Sequence, residues 1–130
     1  HEKAEVEAMV AKALANRPPD ESPYPHLTRA DLLVIAPLTA NTLAKLAHGL
    51  ADDVLTEAAL AHDGPVLVAP AMNDRMWAHP ATQANAELLQ QRGVEFAGPV
   101  EGELAEGGQG VGRMAEPEEI FERCEELLGA

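Results

Sequence analysis

The sequence predicts an α/β domain, a parallel sheet between two layers of helix and incomplete at its amino-terminal end, on three observations. Helical and strand patterns alternate as helix, strand, helix, helix, strand, helix, strand, helix, the order that crossovers in a parallel sheet require. The two clearest strand candidates, Leu32-Leu33-Val34-Ile35 and Val66-Leu67-Val68, are continuous apolar runs, as expected of strands covered on both faces. Polar loops follow both runs, at the sheet end where α/β domains bind ligands. Only about three strands can be counted, so either strands of this sheet lie outside the sequence or another chain completes it.

Composition narrows the function classes. The chain has 130 residues, enough for one domain, and with 46% hydrophobic but only 3% aromatic residues its core must be built from Ala, Leu and Val. A net charge of −13 argues against nucleic acid as a partner, because phosphate binding needs clustered Lys and Arg. No apolar run approaches the roughly 20 residues of a membrane span, and the charged amino end does not read as a secretory signal. The lone Cys124 cannot form an internal disulfide, which fits a cytoplasmic protein. Nothing in the sequence predicts a metal site.

Residues 2–16 place Val6, Met9, Val10, Ala13 and Leu14 at helical spacing. Residues 17–25 carry Pro18, Pro19, Pro23 and Pro25 and predict an extended connection. The chain therefore divides into an amino-terminal segment, 1–25, and a main domain, 26–130. His26 opens that domain; a histidine at a loop end reads first as a surface residue. The strand over 31–36 ends at Pro37. In the next turn, Thr39 and Asn41 both qualify as helix caps, ahead of Leu43, Leu46, Ala47 and Leu50 on one helical face. The same geometry presents free N–H groups to a polar ligand. Lacking glycines, the turn is a poor phosphate cradle and suits something flatter or less charged.

Asp52 and Asp53 cap a helix over 54–62, which Gly64 closes. After the strand 66–68, residues 69–77 form a loop with an amide (Asn73), a cation (Arg75), two methionines (Met72, Met76) and the only tryptophan, Trp77. At a strand's carboxyl end these make a candidate site; the plainer reading is that Met72, Met76 and Trp77 only plug the sheet. Pro80 announces a helix over 81–92, closed by Gly93, and 94–96 is a short third strand. Residues 98–114 are rich in glycine but lack the strand-then-helix context of a dinucleotide fingerprint, so they predict a mobile flap instead. Pro117 starts a last helix that ends near Leu128.

Taken together, the two loops resemble the flavin-dependent cysteine decarboxylase family, in particular its phosphopantothenoylcysteine decarboxylase branch. The family's "PASANT" loop is matched by Pro37-Leu38-Thr39-Ala40-Asn41-Thr42, and its "PxMNxxMW" motif is intact in Pro70-Ala71-Met72-Asn73-Asp74-Arg75-Met76-Trp77. The likeness continues through residues 45–53, 79–82 and 112–117, and covers roughly residues 26–120. It implies a Rossmann-like, flavodoxin-like three-layer fold, a homo-trimer or a multiple of it, and FMN at a subunit boundary. It also implies that Pro37, Leu38, Thr39, Ala40 and Asn41 contact FMN, that Asn73 binds the substrate carboxylate, and that Arg75 and Met76 line the same pocket. The implied reaction is decarboxylation of 4'-phosphopantothenoylcysteine to 4'-phosphopantetheine in coenzyme A biosynthesis, the flavin oxidising the thiol first so that the carbanion has an electron sink.

Three departures shape the expectations. Nothing before His26 resembles the family's amino-terminal phosphate loop, which predicts weak FMN binding by this chain alone. His26, the only candidate for the family's catalytic histidine, lies in a run three residues shorter than the family pattern. Glu106 stands where the flap carries the cysteine that donates a proton in the final reduction. A solvated carboxyl is ionised at neutral pH, where a thiol keeps its proton, so activity is expected to stall at the enethiol. A non-catalytic subunit completing a partner's site, and an oxidative decarboxylase of peptidyl cysteine, are the competing readings.

Overall fold

A computed structural model describes residues 30–129. The helix read over 2–16, the proline-rich connection and His26 lie outside the described residues.

Three strands form one parallel sheet in the order β1 (Leu33–Leu38), β2 (Val66–Pro70), β3 (Glu95–Phe96). Leu33, Val34 and Ile35 sit opposite Val66, Leu67 and Val68, and the register shifts before Leu38 meets Pro70. That irregularity admits Pro37: the strand continues through the proline instead of stopping at it, because the missing N–H falls where the ladder is already interrupted. Successive residues of β2 face opposite sides. Leu67 and Ala69 join Leu32, Ala97, Ala115, Ile120 and Cys124 on one side, while Val68 joins Ile35, Leu38, Leu43, Ala47, Ala86 and Leu89 on the other. The expected three-layer α/β architecture is therefore present.

The helices follow their punctuation closely, with corrections at the ends. In α1 (Ala40–His48), Thr39 alone is the cap, accepting from the Thr42 N–H at 3.2 Å; Asn41 lies inside the helix. Gly49 ends α1 in the left-handed conformation, which leaves Leu50 beyond the helix and 54% exposed rather than on its apolar face. In α2 (Val54–Ala61), Asp53 and Thr56 form a reciprocal capping box, while Asp52 pairs with Lys45 at 3.0 Å. Hydrogen bonds from the Thr56 hydroxyl and N–H hold the Asp53 carboxyl below its ordinary range. Helix α2 stops at Ala61 with His62 extended, ahead of Gly64.

Residues 74–78, read as loop, form a short helix α3 (Asp74–Ala78) capped by Asn73. Helix α4 (Pro80–Gln91) begins at Pro80 as expected, with His79 Nδ1 accepting from the Ala81 N–H at 3.0 Å. The stretch read as a glycine-rich flap contains two antiparallel strands, β4 (Val100–Glu103) and β5 (Gln109–Arg113), in a hairpin separate from the main sheet. Helix α5 (Pro117–Leu127) closes the fold against the Leu67 side of the sheet.

Candidate functional site

Because β1 and β2 are parallel neighbours, the loops that follow them open at the same sheet end, and the Ala71 N–H donates to the Leu38 carbonyl at 3.0 Å. In the first loop, Pro37, Thr39 and Asn41 are exposed and Ala40 is half-buried. The Leu38 side chain is fully buried in the core, so it can offer a ligand backbone only. The first N–H groups of α1, those of Ala40 and Asn41, have no intrahelical acceptor. The Asn41 side-chain amide makes no hydrogen bond among the described residues.

The second loop is held by the hairpin. The Met72 N–H donates to the Gly112 carbonyl at 2.8 Å, which joins the end of β2 to β5. Asn73 is half-buried and uses both ends of its amide. Its Oδ1 accepts from the Arg75 N–H at 2.7 Å, capping α3, and its Nδ2 donates to Glu106 Oε1 at 2.7 Å. A backbone N–H on one side and a carboxylate on the other determine which amide end is which. Asn73 and Glu106, 33 positions apart, are thus brought together at the mouth of a cleft of about 690 Å³. The cleft lies between residues 71–73 and the hairpin.

Other expected residues are placed differently. Arg75 and Met76 are exposed on α3 and do not line this cleft. Arg113 and Glu103 do line it; the sequence marks them only as charges near Glu106 and not as site residues, although Gly112-Arg113-Met114 lies within the run that carries the resemblance. The Arg113 guanidinium pairs with Glu116 at 3.0 Å. Cys124 is fully buried in the core; burial pushes its thiol up to about 11, which keeps it protonated at neutral pH.

A second, smaller cavity of about 340 Å³ is more enclosed, but it lies at the amino ends of the strands, beside Gly64, Val66 and Val94. It holds none of the loop residues above, and ligand chemistry in this architecture belongs at the opposite end. Among the described residues, no group of three or more His, Cys, Asp or Glu could hold a metal, and no helix is long and apolar enough to cross a membrane.

Comparison with known proteins agrees with the fold. The family model described as "Flavoprotein" matches residues 5–129, reaching further toward the amino end than the motifs themselves. The chain is 51% identical over 96 residues to the coenzyme A biosynthesis bifunctional protein CoaBC of Bacillus subtilis (strain 168), covering 74% of this chain and 24% of that protein. It is 47% identical over 107 residues to the protein of the same name from Mycobacterium tuberculosis (strain ATCC 25618 / H37Rv), covering 82% and 26%. The chain thus spans about a quarter of the length of these curated relatives. Among solved structures, a PPC decarboxylase variant complexed with pantothenoylaminoethenethiol superposes with a TM-score of 0.75 at 43% identity, covering 78% of this chain and 57% of that one. The FMN binding protein AtHal3 superposes at 0.70 with 39% identity, covering 88% and 65%.

Proposed function

The chain belongs to the Flavoprotein family, and from that premise we propose that it is an FMN-dependent decarboxylase domain acting on 4'-phosphopantothenoylcysteine, in the branch that leads to 4'-phosphopantetheine. The observation that carries this reading is the Asn73 amide at the carboxyl end of β2, its Nδ2 turned into the cleft and already holding a carboxylate oxygen at 2.7 Å. A group that binds one carboxylate there is chemically suited to bind another, that of a cysteine residue to be decarboxylated.

The neighbouring loop fits a flat polar cofactor. The Asn41 amide, unpartnered among the described residues, the open N–H groups of Ala40 and Asn41, and the exposed Pro37 and Thr39 surround a strand end where the described residues concentrate no positive charge. Pro37, Thr39, Ala40, Asn41 and the backbone of Leu38 are the residues that would hold FMN. Bound FMN supplies two-electron oxidation of the substrate thiol, creating the electron sink that a cysteine amide lacks, and later returns those electrons.

The chain's own groups bind and orient. Asn73 holds the carboxylate that is to leave, and the hairpin covers the same side of the cleft. Arg75, whose guanidinium has no ion pair among the described residues, and Met76 extend the recognition surface beyond it. His26 remains the candidate for the family's histidine, and Glu106 takes the place of the flap's proton donor. A homo-trimer, or a multiple of it, in the cytoplasm completes the reading. The exposed apolar side chains Val54 and Leu60, at 67% and 63%, are surface that such an assembly would cover.

The test is product mass after incubation of the full chain with FMN and 4'-phosphopantothenoylcysteine. The reading requires loss of carbon dioxide. An unchanged substrate in the presence of stoichiometric bound flavin overturns it, while a product short of two hydrogens keeps the decarboxylation and places the stall at the final reduction. Light scattering on the same sample checks for three copies or a multiple.

A further inference from the structure

We infer that Glu106 is a built-in competitor for the carboxylate site at Asn73: the hairpin tip fills that site in the resting chain, and a substrate carboxylate must displace it. The inference rests on the reading of Asn73 as the carboxylate-binding residue.

The tip is built to present this side chain. Residues 104–108 form a closed turn, in which the Leu104 N–H donates to the Gly108 carbonyl at 3.0 Å and the Gly107 N–H to the Leu104 carbonyl at 2.9 Å. Gly107 and Gly108 take φ of 97° and 79°, which side chains rarely adopt, so the turn needs glycine directly after Glu106. Leu104, 8% exposed, is the buried side chain of the turn, and the bond from the Met72 N–H to the Gly112 carbonyl sets the hairpin's distance from the loop. The Glu106 carboxylate thereby reaches Asn73 Nδ2 at 2.7 Å.

Asn73 cannot turn away, because its Oδ1 is engaged with the Arg75 N–H. A second carboxylate brought to the same nitrogen would lie within a few ångström of Glu106, and like charges at that range repel. The nearest cation lining the cleft, Arg113, is paired with Glu116 and does not meet Glu106 in any hydrogen bond or ion pair. Occupation of Asn73 by Glu106 or by substrate is therefore alternative. The exchange has a direction. When the carbon–carbon bond breaks and its electron pair stays on the organic fragment, the carboxylate leaves as carbon dioxide. The remaining ligand has nothing with which to keep Glu106 off Asn73, and the returning side chain opposes rebinding of the product.

The experiment is calorimetric binding of two probes to the full chain. One is the serine analogue of phosphopantothenoylcysteine, whose hydroxyl escapes thiol oxidation; the other is the same molecule without its carboxylate. Glu106→Gln and Glu106→Ala should bind the first about tenfold more tightly than the unaltered chain, the scale of one charge-assisted hydrogen bond, and the second within about twofold. Equal gains for both probes, or no gain for either, overturn the competition. Weaker binding of the carboxylated probe by Glu106→Ala would make Glu106 a supporting contact and also overturn it. Asn73→Ala separates the premise: if it leaves the carboxylated probe unaffected, both alone and combined with Glu106→Ala, the reading of Asn73 itself falls. If it weakens that probe while Glu106→Ala does not strengthen it, the competition alone falls. Thermal melts of each variant establish that the comparison is between folded proteins.

Discussion

Asn73 has two hydrogen-bonding ends, and substitutions can separate them. Asparagine to aspartate keeps an Oδ1 to accept from the Arg75 N–H, so the cap of α3 survives. It also replaces the Nδ2 donor with a second negative oxygen facing Glu106 and any incoming carboxylate. Asn73→Asp should therefore leave the melting temperature close to that of the unaltered chain and lower turnover by roughly 100-fold or more, the usual effect of losing one oriented donor. An equally active aspartate variant would reduce the loop to a structural plug. Glu106 gives the companion prediction. Glu106 stands in place of the thiol that the resemblance gives as proton donor, so a flavin-loaded assembly of the unaltered chain should release the enethiol. Glu106→Cys should release the saturated product, heavier by two hydrogens. Saturated product from the unaltered chain, lost in Glu106→Gln, would identify the glutamate as the donor.

The hairpin and the loop after β2 act as one unit because two glycines let them approach. A Cβ on Gly112 would collide with the Met72 carbonyl oxygen, and one on Gly110 would lie 2.8 Å from the Asp74 Cβ. Gly112→Ala should cost about 1–3 kcal/mol in urea denaturation and detach the cleft's covering strand, with substrate binding falling more than helix content. Helix α2 supplies a test of a different kind. The Asp53 carboxyl is held below its ordinary value of 3.8, chiefly by the Thr56 hydroxyl, so the native state favours its ionised form. That contribution is complete above the ordinary value and is lost as the pH falls below it. Asp53→Asn keeps an acceptor for the Thr56 N–H without a charge, and thermal melts of this variant should show a shallower decline in acid. The elements themselves are unequally legible in the sequence. Long helices bounded by Thr39 and Gly49, or Pro80 and Gly93, announce themselves, because caps and breakers act locally. The β4–β5 hairpin does not: Gly102, Gly110 and Gly112 lack side chains that could show period-two alternation, and they sit there for close approach to Arg113, Asp74 and Met72. Helix α3 is hidden by its five-residue length, although Asn73 followed by Asp74 is a start signal.

At the scale of the molecule, the sheet has two dry faces, and β2 divides its side chains between them. This is readable from the continuous run Val66-Leu67-Val68, as is the location of the site beyond its carboxyl end. The pairing of Asn73 with Glu106 is not, since it depends on where a hairpin folds back over 33 intervening positions. Cys124 tests the claim that the third layer is purely structural. It is fully buried beside Leu67, Ala69 and Ile120, on the face opposite Leu43 and Leu89, and of the residues lining the cleft only Met114 packs against its cluster. Serine there would bury a hydroxyl among apolar neighbours, so Cys124→Ser should destabilise the domain by about 1–3 kcal/mol while Cys124→Ala is milder. Both should retain full turnover per folded molecule, which a cysteine serving in proton donation could not. Burial raises the native thiol from 9.0 to about 11, so the unfolded chain ionises first. The native state is then favoured fully below about pH 9 and loses that advantage as the pH rises from there through about 11. Denaturation curves across that interval should decline less steeply for Cys124→Ala than for the unaltered chain. A native thiol that is alkylated at neutral pH as fast as in the unfolded chain would instead place Cys124 at an open, reactive position.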